Sequence, residues 1–203
     1  MPKIDIALKK QAKQARSIAT VNVIIETATN ILRHDGAPGF TTNKVAERAG
    51  VAIASLYQYF PNKEALLFQV ARVTWEAELA RLLPILMDDR ADHGTRLRRL
   101  IREFFLVEAT EASLRRALRS ASIDLRDTAE YQALMVQGAD QSAAFFRDAF
   151  SKSAGEDLDF HVEFVGLVIT SVAERATEEQ VCKAELLRKA DLLADMILYR
   201  YRL

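Results

Sequence analysis

The chain has 203 residues, half of them hydrophobic, with only 7 glycines and 4 prolines, and its basic and acidic side chains balance at 28 each. That length supports a buried core without covalent staples, and the scarcity of glycine and proline argues for an all-helical protein over a sandwich or barrel. A single cysteine, Cys182, excludes an internal disulfide and fits a reducing compartment.

No apolar run approaches the ~20 residues of a membrane span, and no apolar signal core opens the sequence, so a cytoplasmic protein with no membrane partner is expected. The net charge of zero hides an asymmetry. Residues 1–63 hold nine Lys and Arg against four acids, and the remainder is acidic by the same margin. A basic N-terminal segment joined to an acidic body suits a protein that reads nucleic acid with one part and does something else with the other.

In chain order, residues 1–14 form a basic arm, read either as a frayed terminus or as a segment that tracks phosphates or a minor groove. From Ala15 to Arg33, Ile18, Val21, Ile24, Ile25, Ala28, Ile31 and Leu32 recur at three- and four-residue spacing, a first helix stopped by residues 34–39 (His-Asp-Gly-Ala-Pro-Gly). Phe40 then plugs a small three-helix core. Thr41 is placed to cap a second helix with Val45, Ala46 and Ala49 on one face, and Gly50 falls where a left-handed residue closes it. Val51, Leu56 and Phe60 continue the apolar contacts, which leaves Ser55, Tyr57, Gln58 and Tyr59 without an evident core to join. Two short helices with an outward polar and aromatic face make a helix–turn–helix, whose second helix enters a major groove.

Asn62 is placed to cap a fourth helix running to about Met87, with Leu66, Leu67, Val70, Val73, Leu79 and Leu82 as its buried stripe and Pro84 kinking or ending it. Further helical patterns run at about 95–109, 111–124, 128–151, 157–176 and 177–202. The expected fold is all-α with about nine helices: a head over residues 1–62 carrying the helix–turn–helix, and a helical body over 63–203.

The run Ala49-Gly50-Val51 followed by residues 55–67 (Ser-Leu-Tyr-Gln-Tyr-Phe-Pro-Asn-Lys-Glu-Ala-Leu-Leu) resembles the DNA-binding signature of the TetR/AcrR family of transcriptional regulators, over roughly Ile18 to Phe68. The resemblance implies DNA contacts at Thr42, Asn43, Ser55, Tyr57, Tyr59 and Lys63, and Gln58 joins them from its place on the second helix. Three positions depart from the family pattern: Ala52 and Ala54 stand where Ser and Gly often occur, and Asn43 where a longer basic residue is sometimes found, and this leaves the operator sequence open. The family also implies a small apolar or amphipathic inducer bound inside the body. Candidate lining residues are Trp75, Phe104, Glu108, Gln137, Gln141 and Phe164, although the body's aromatics also serve as ordinary core.

A helix–turn–helix monomer reads few base pairs, so a homodimer on a palindromic double-stranded DNA operator is expected. Its interface is sought on the last two helices, at Leu158, Val162, Val165, Ile169 and Val172 and at Leu186, Ala190, Leu193 and Ile197. The expected function is a repressor released by its inducer; the alternative is a helical interaction module that keeps the motif without ligand control. His34, His93 and His161 lie in separate segments, and the sequence has neither a Gly-rich phosphate loop nor an H-E-x-x-H motif. No catalytic, cofactor or metal site is expected.

Overall fold

The structure, a computed structural model, describes residues 5–7, 15–121, 125, 127–179 and 181–203. Among these residues nine α-helices occur and no strand. They are α1 (Ala15–Asp35), α2 (Thr42–Arg48), α3 (Ile53–Tyr59), α4 (Lys63–Leu86), α5 (His93–Thr110), α6 (Ala112–Ala121), α7 (Ala129–Phe150), α8 (Leu158–Glu178) and α9 (Lys183–Tyr201), with one 3-10 turn at Gly155–Asp157. No described helix is long and apolar enough to cross a membrane.

The chain divides into two compact units. The first comprises residues 1–76 and 113–135, the second residues 77–112 and 136–203. The first unit is larger than residues 1–62 because Leu114, Ala117 and Leu125 share one buried cluster with Ile24, Leu32, Phe40, Leu56 and Leu66. Phe40 is fully buried in that cluster, as its position after the glycine-rich stop requires. Ile6 is buried there too, and the backbone carbonyl of Asp5 accepts from the Asn62 amide at 2.8 Å. At residues 5–7 the N-terminal segment is therefore tied to the head; the remainder of the basic arm lies outside the described residues.

In the second unit, α5, α7, α8 and α9 share a core of Leu97, Ile101, Phe105, Phe146, Phe150, Val165, Ala173, Ala190 and Ala194. The ring of Tyr201 stacks on Phe150 with centroids 3.8 Å apart, and its hydroxyl meets Nδ1 of His161 at 2.8 Å. Arg102 joins α5 to α9 through both carboxylate oxygens of Asp191, at 2.7 and 2.8 Å.

Pro84 lies inside α4, which ends two residues beyond it at Leu86, close to the expected end near Met87. Two expectations about helices need correction. Val73 is 40% exposed and leaves the expected buried stripe of α4, while the acidic Glu78 is buried. Ile18 lies outward on α1, 45% exposed, since Ile24, Ala28, Ile31 and Leu32 already fill the inward face.

Candidate nucleic-acid interface

The helix–turn–helix is assembled by local chemistry. The Thr41 hydroxyl accepts from the Lys44 amide at 3.2 Å, satisfying one of the amides that α2 leaves unbonded at its start. At the other end Gly50 takes φ +67°, the left-handed conformation that side chains resist. Val51 N–H donates to the Ala46 carbonyl at 3.0 Å and Gly50 N–H to that of Glu47 at 3.1 Å, the paired bonds of a Schellman close. The chain thus leaves α2 in a fixed direction before α3 begins. The side chain of Asn62 accepts from Ala65 N–H at 2.7 Å and fixes the start of α4.

Of the residues expected to meet DNA, Thr42 and Tyr57 are brought together, their hydroxyl oxygens 3.0 Å apart at the surface. Asn43 and Gln58 are exposed, and Ser55 is half-buried on the same short helix as Tyr57. Ile53, one turn before Tyr57, adds an exposed apolar side chain. Lys63 lies over the ring of Phe40, its ammonium 5.5 Å from the centroid, and makes no ion pair among the described residues. That leaves its charge available to an external anion.

Tyr59 is a correction. It is 8% exposed and packs with Leu56 and Phe60 in the first unit's core. Those three positions follow the i, i+3, i+4 spacing of one helical face, so the inward stripe of α3 is one residue wider than Leu56 and Phe60 alone indicate. The sequence reading also missed Asp35. Its Oδ2 holds Lys44 at 2.9 Å and Arg48 at 2.8 Å, so the two cations of α2 share one carboxylate. The Lys44 hydrogen bond, with Arg48 beside it, holds the Asp35 carboxyl below its ordinary value. Nothing in the spacing marks this pairing, because it depends on how the four residues between α1 and Phe40 turn the chain so that α2 meets the last residue of α1.

The residues proposed to line an inducer site do not form one described cluster. Trp75 belongs to the first unit, half-buried, with its indole N–H buried and unpartnered among the described residues. Phe104 and Glu108 are half-buried and buried respectively within the second unit. The side chain of Gln137 lies outside the described residues. Gln141 and Phe164 are corrected: both are exposed, and Phe164 stacks on Phe160 with centroids 6.0 Å apart. On α8 the inward stripe is Val162, Val165, Ile169, Ala173 and Ala176, and Phe164 falls between those positions on the outer side.

The expected dimer residues are corrected for the same reason. Val162, Val165, Ile169, Leu186, Ala190, Leu193 and Ile197 are all buried in the core of their own subunit. Leu158 is half-buried against that core, and Val172 alone among the nine is exposed. The most exposed apolar side chains of these two helices are Phe160, Phe164 and Leu167 on α8 and Leu192, Met196 and Tyr199 on α9, each more than half exposed.

Residues 24–70 match the family model of bacterial regulatory proteins of the tetR family. The tetracycline repressor protein class A from transposon 1721 of Escherichia coli is 38% identical over 68 residues, 34% of this chain and 32% of that protein. The class C tetracycline repressor of E. coli is 46% identical over 48 residues, 24% of this chain and 22% of its own length. The match spans no more than about a third of these curated relatives. Two solved structures carry the same fold along nearly the whole chain. A protein described as a TetR-family transcriptional regulator from Mesorhizobium loti aligns with TM-score 0.73 at 19% identity, over 92% of this chain and 98% of its own. The regulator FadR from Bacillus subtilis, in complex with stearoyl-CoA, aligns with TM-score 0.71 at 18% identity, over 88% and 98%. Residues 24–70, with their glycine-closed helix–turn–helix, thus match the DNA-binding segment of the bacterial tetR regulatory proteins, and the chain shares the fold of the two solved regulators.

Proposed function

We propose that this chain is a dimeric repressor that binds a palindromic operator through α2, α3 and the start of α4, and is released by a small apolar or amphipathic inducer. The observation that carries the DNA-binding part is the outward face of the helix–turn–helix. Tyr57, Gln58, Ile53 and Asn43 stand exposed there, with Lys63, in no ion pair among the described residues, at the start of the next helix. Hydroxyl, amide and ammonium groups serve phosphate and base edges, and an apolar side chain serves a thymine methyl. In this reading residues 1–62 act as the DNA-binding head and residues 63–203 as the ligand-binding and dimerising part.

Two half-sites must be held at a fixed spacing, so the reading requires a dimer. The outward stripe of Phe160, Phe164 and Leu167 repeats at i, i+4 and i+7, and Leu192, Met196 and Tyr199 repeat the same interval on α9. We assign the isologous contact to these two stripes, in place of the inward residues expected at first. A pair of such helices from each protomer supports a four-helix packing.

The inducer would act by population shift, preferring a conformation whose recognition helices no longer fit the operator. α4 suits the transmission of that change, since it begins with Lys63 in the first unit and ends beyond Pro84 in the second. Stearoyl-CoA, the molecule bound in the FadR structure, is one amphipathic compound for a first screen.

The test starts from the full-length protein and a random-sequence duplex pool. Repeated selection should enrich a two-fold symmetric sequence, bound with an affinity that falls steeply with salt. Lys63→Ala should weaken binding on every sequence and reduce the salt slope by about one unit. Failure to enrich any sequence would leave the helical interaction module as the better reading. Compounds that stabilise the protein are then added to the operator complex. A stabilising compound that leaves operator affinity unchanged contradicts the inducer model, because coupling between the two sites is reciprocal.

A further inference from the structure

Thr42 and Tyr57, each expected to meet DNA on its own, share a hydrogen bond. Thr42 is the first residue of α2 and Tyr57 the fifth of α3, and 15 residues of chain bring their hydroxyl oxygens to 3.0 Å. The Tyr57 ring is 39% exposed and Thr42 half-buried. We propose that Thr42 is a positioning residue for Tyr57, and that the two hydroxyls meet DNA as one composite group. The proposal rests on the DNA-binding reading above.

Proton counting carries the argument further. Each hydroxyl brings one proton, and the bond between them uses one of the two, whichever oxygen donates. The pair is left with a single O–H for a base acceptor, together with lone pairs for an exocyclic amine. Two independent hydroxyls would offer two donors. The bond also fixes an exposed aromatic side chain that would otherwise rotate freely about two torsions, so the ordering cost is met before DNA arrives. In water a hydroxyl–hydroxyl bond adds little to folding stability, so its loss should fall on recognition more than on the fold.

The coupling is measurable with a double-mutant cycle on the duplex that the wild type enriches from a random pool. Thr42→Val preserves shape without the hydroxyl, Tyr57→Phe preserves the ring, and Thr42→Ser restores the hydroxyl. Each of the first two should weaken the enriched duplex by about fivefold, and the double variant by about the same fivefold. Thr42→Ser should bind within about twofold of wild type. Affinity for the unselected pool and the thermal midpoint should move little in any variant. Repeated selection with Thr42→Val and with Tyr57→Phe should relax preference at the same base pair of each half-site.

Losses that multiply to about 25-fold, relaxation at different base pairs, or a Thr42→Val protein indistinguishable from wild type would each overturn the coupling. A merely structural bond would lower the thermal midpoint and weaken selected and unselected duplexes alike, which also overturns it. Failure of the underlying reading looks different. The wild type would then enrich no sequence at all, whereas failure of the coupling alone leaves an enriched duplex that Lys63→Ala still weakens.

Discussion

The helix–turn–helix of the first unit and the α8–α9 pair of the second both expose apolar side chains, but in different company. On α3, Ile53 and Tyr57 are interleaved with Ser55 and Gln58, so polar groups break the apolar surface at every turn. On α8 and α9 the outward apolar residues repeat at i, i+4 and i+7 and form unbroken stripes. The first surface keeps its hydrogen-bonding capacity, as a wet, charged partner such as DNA demands. The second offers large apolar area with few polar groups, as a dry contact between protein surfaces demands. One chain thus carries two kinds of exposed apolar surface, distinguishable by the company their apolar residues keep.

The largest effect separates the two sides of α9. Leu193 is buried in the subunit core, while Met196, three residues on, is 63% exposed. Leu193→Glu places a carboxylate among apolar neighbours and should cost several kcal/mol, enough to unfold the second unit. Met196→Glu, or Phe164→Glu on α8, should leave the helical circular-dichroism signal and the thermal midpoint of the dilute protein nearly unchanged. Either should shift the molecule from dimer to monomer in sedimentation. A dimer that survives both Met196→Glu and Phe164→Glu would show that the outward stripes are not the contact.

A smaller effect sharpens the same comparison through two glycines. Gly50 closes α2 with φ +67° and Gly155 opens the turn before α8 with φ +68°; a Cβ at either would meet nothing within 4 Å. Alanine at each should therefore cost about 1–2 kcal/mol through the backbone conformation alone. Only Gly50→Ala should also weaken operator binding beyond its effect on the thermal midpoint, because Gly50 sets the direction in which α3 leaves α2. Equal losses of DNA affinity in both variants would indicate that the turn contributes stability and no orientation.

The contrast between the two surfaces also explains what the sequence made readable. In the head, the chemistry is local: Thr41, Gly50 and Asn62 are capping residues whose partners lie within a few positions, and all three take the expected places. Tyr59 was misjudged because an aromatic at i+3 from Leu56 completes the inward face, and its residue type does not say which side it occupies. On α8 and α9 the periodicity marks stripes that are indeed buried, but within the subunit's own core. Both helices carry two apolar stripes, and the more regular one, through Val162, Val165 and Ile169, serves the subunit's own core. Hydrophobic spacing reveals that a face is buried; it does not say against what. Asp35 was beyond reach for another reason, since its partners lie 9 and 13 residues away across an irregular loop.

The smallest effect concerns that carboxylate. The Asp35 carboxyl is held below its ordinary value, first by the Lys44 hydrogen bond and then by the charge of Arg48. A depressed carboxylate contributes stability that is complete above its unfolded-state value and is lost as pH falls through the lower folded value. The loss therefore belongs to the acid side, below about pH 4. The pair is at the surface, so salt should reduce the contribution. Glu179 on the second unit is depressed in the same way by Lys189, which provides a matched control. Asp35→Asn should flatten the acid limb of stability for the first unit, followed through amide exchange at Leu32 and Val45. Glu179→Gln should flatten it only for the second, followed at Ala176 and Ala190. At neutral pH Asp35→Asn also leaves Lys44 and Arg48 without their shared anion, so non-specific DNA affinity should rise modestly and its salt dependence steepen. An acid limb that is unchanged by Asp35→Asn, or changed equally in both units, would mean that the carboxylate does not act on α2 in the way its two ion pairs indicate.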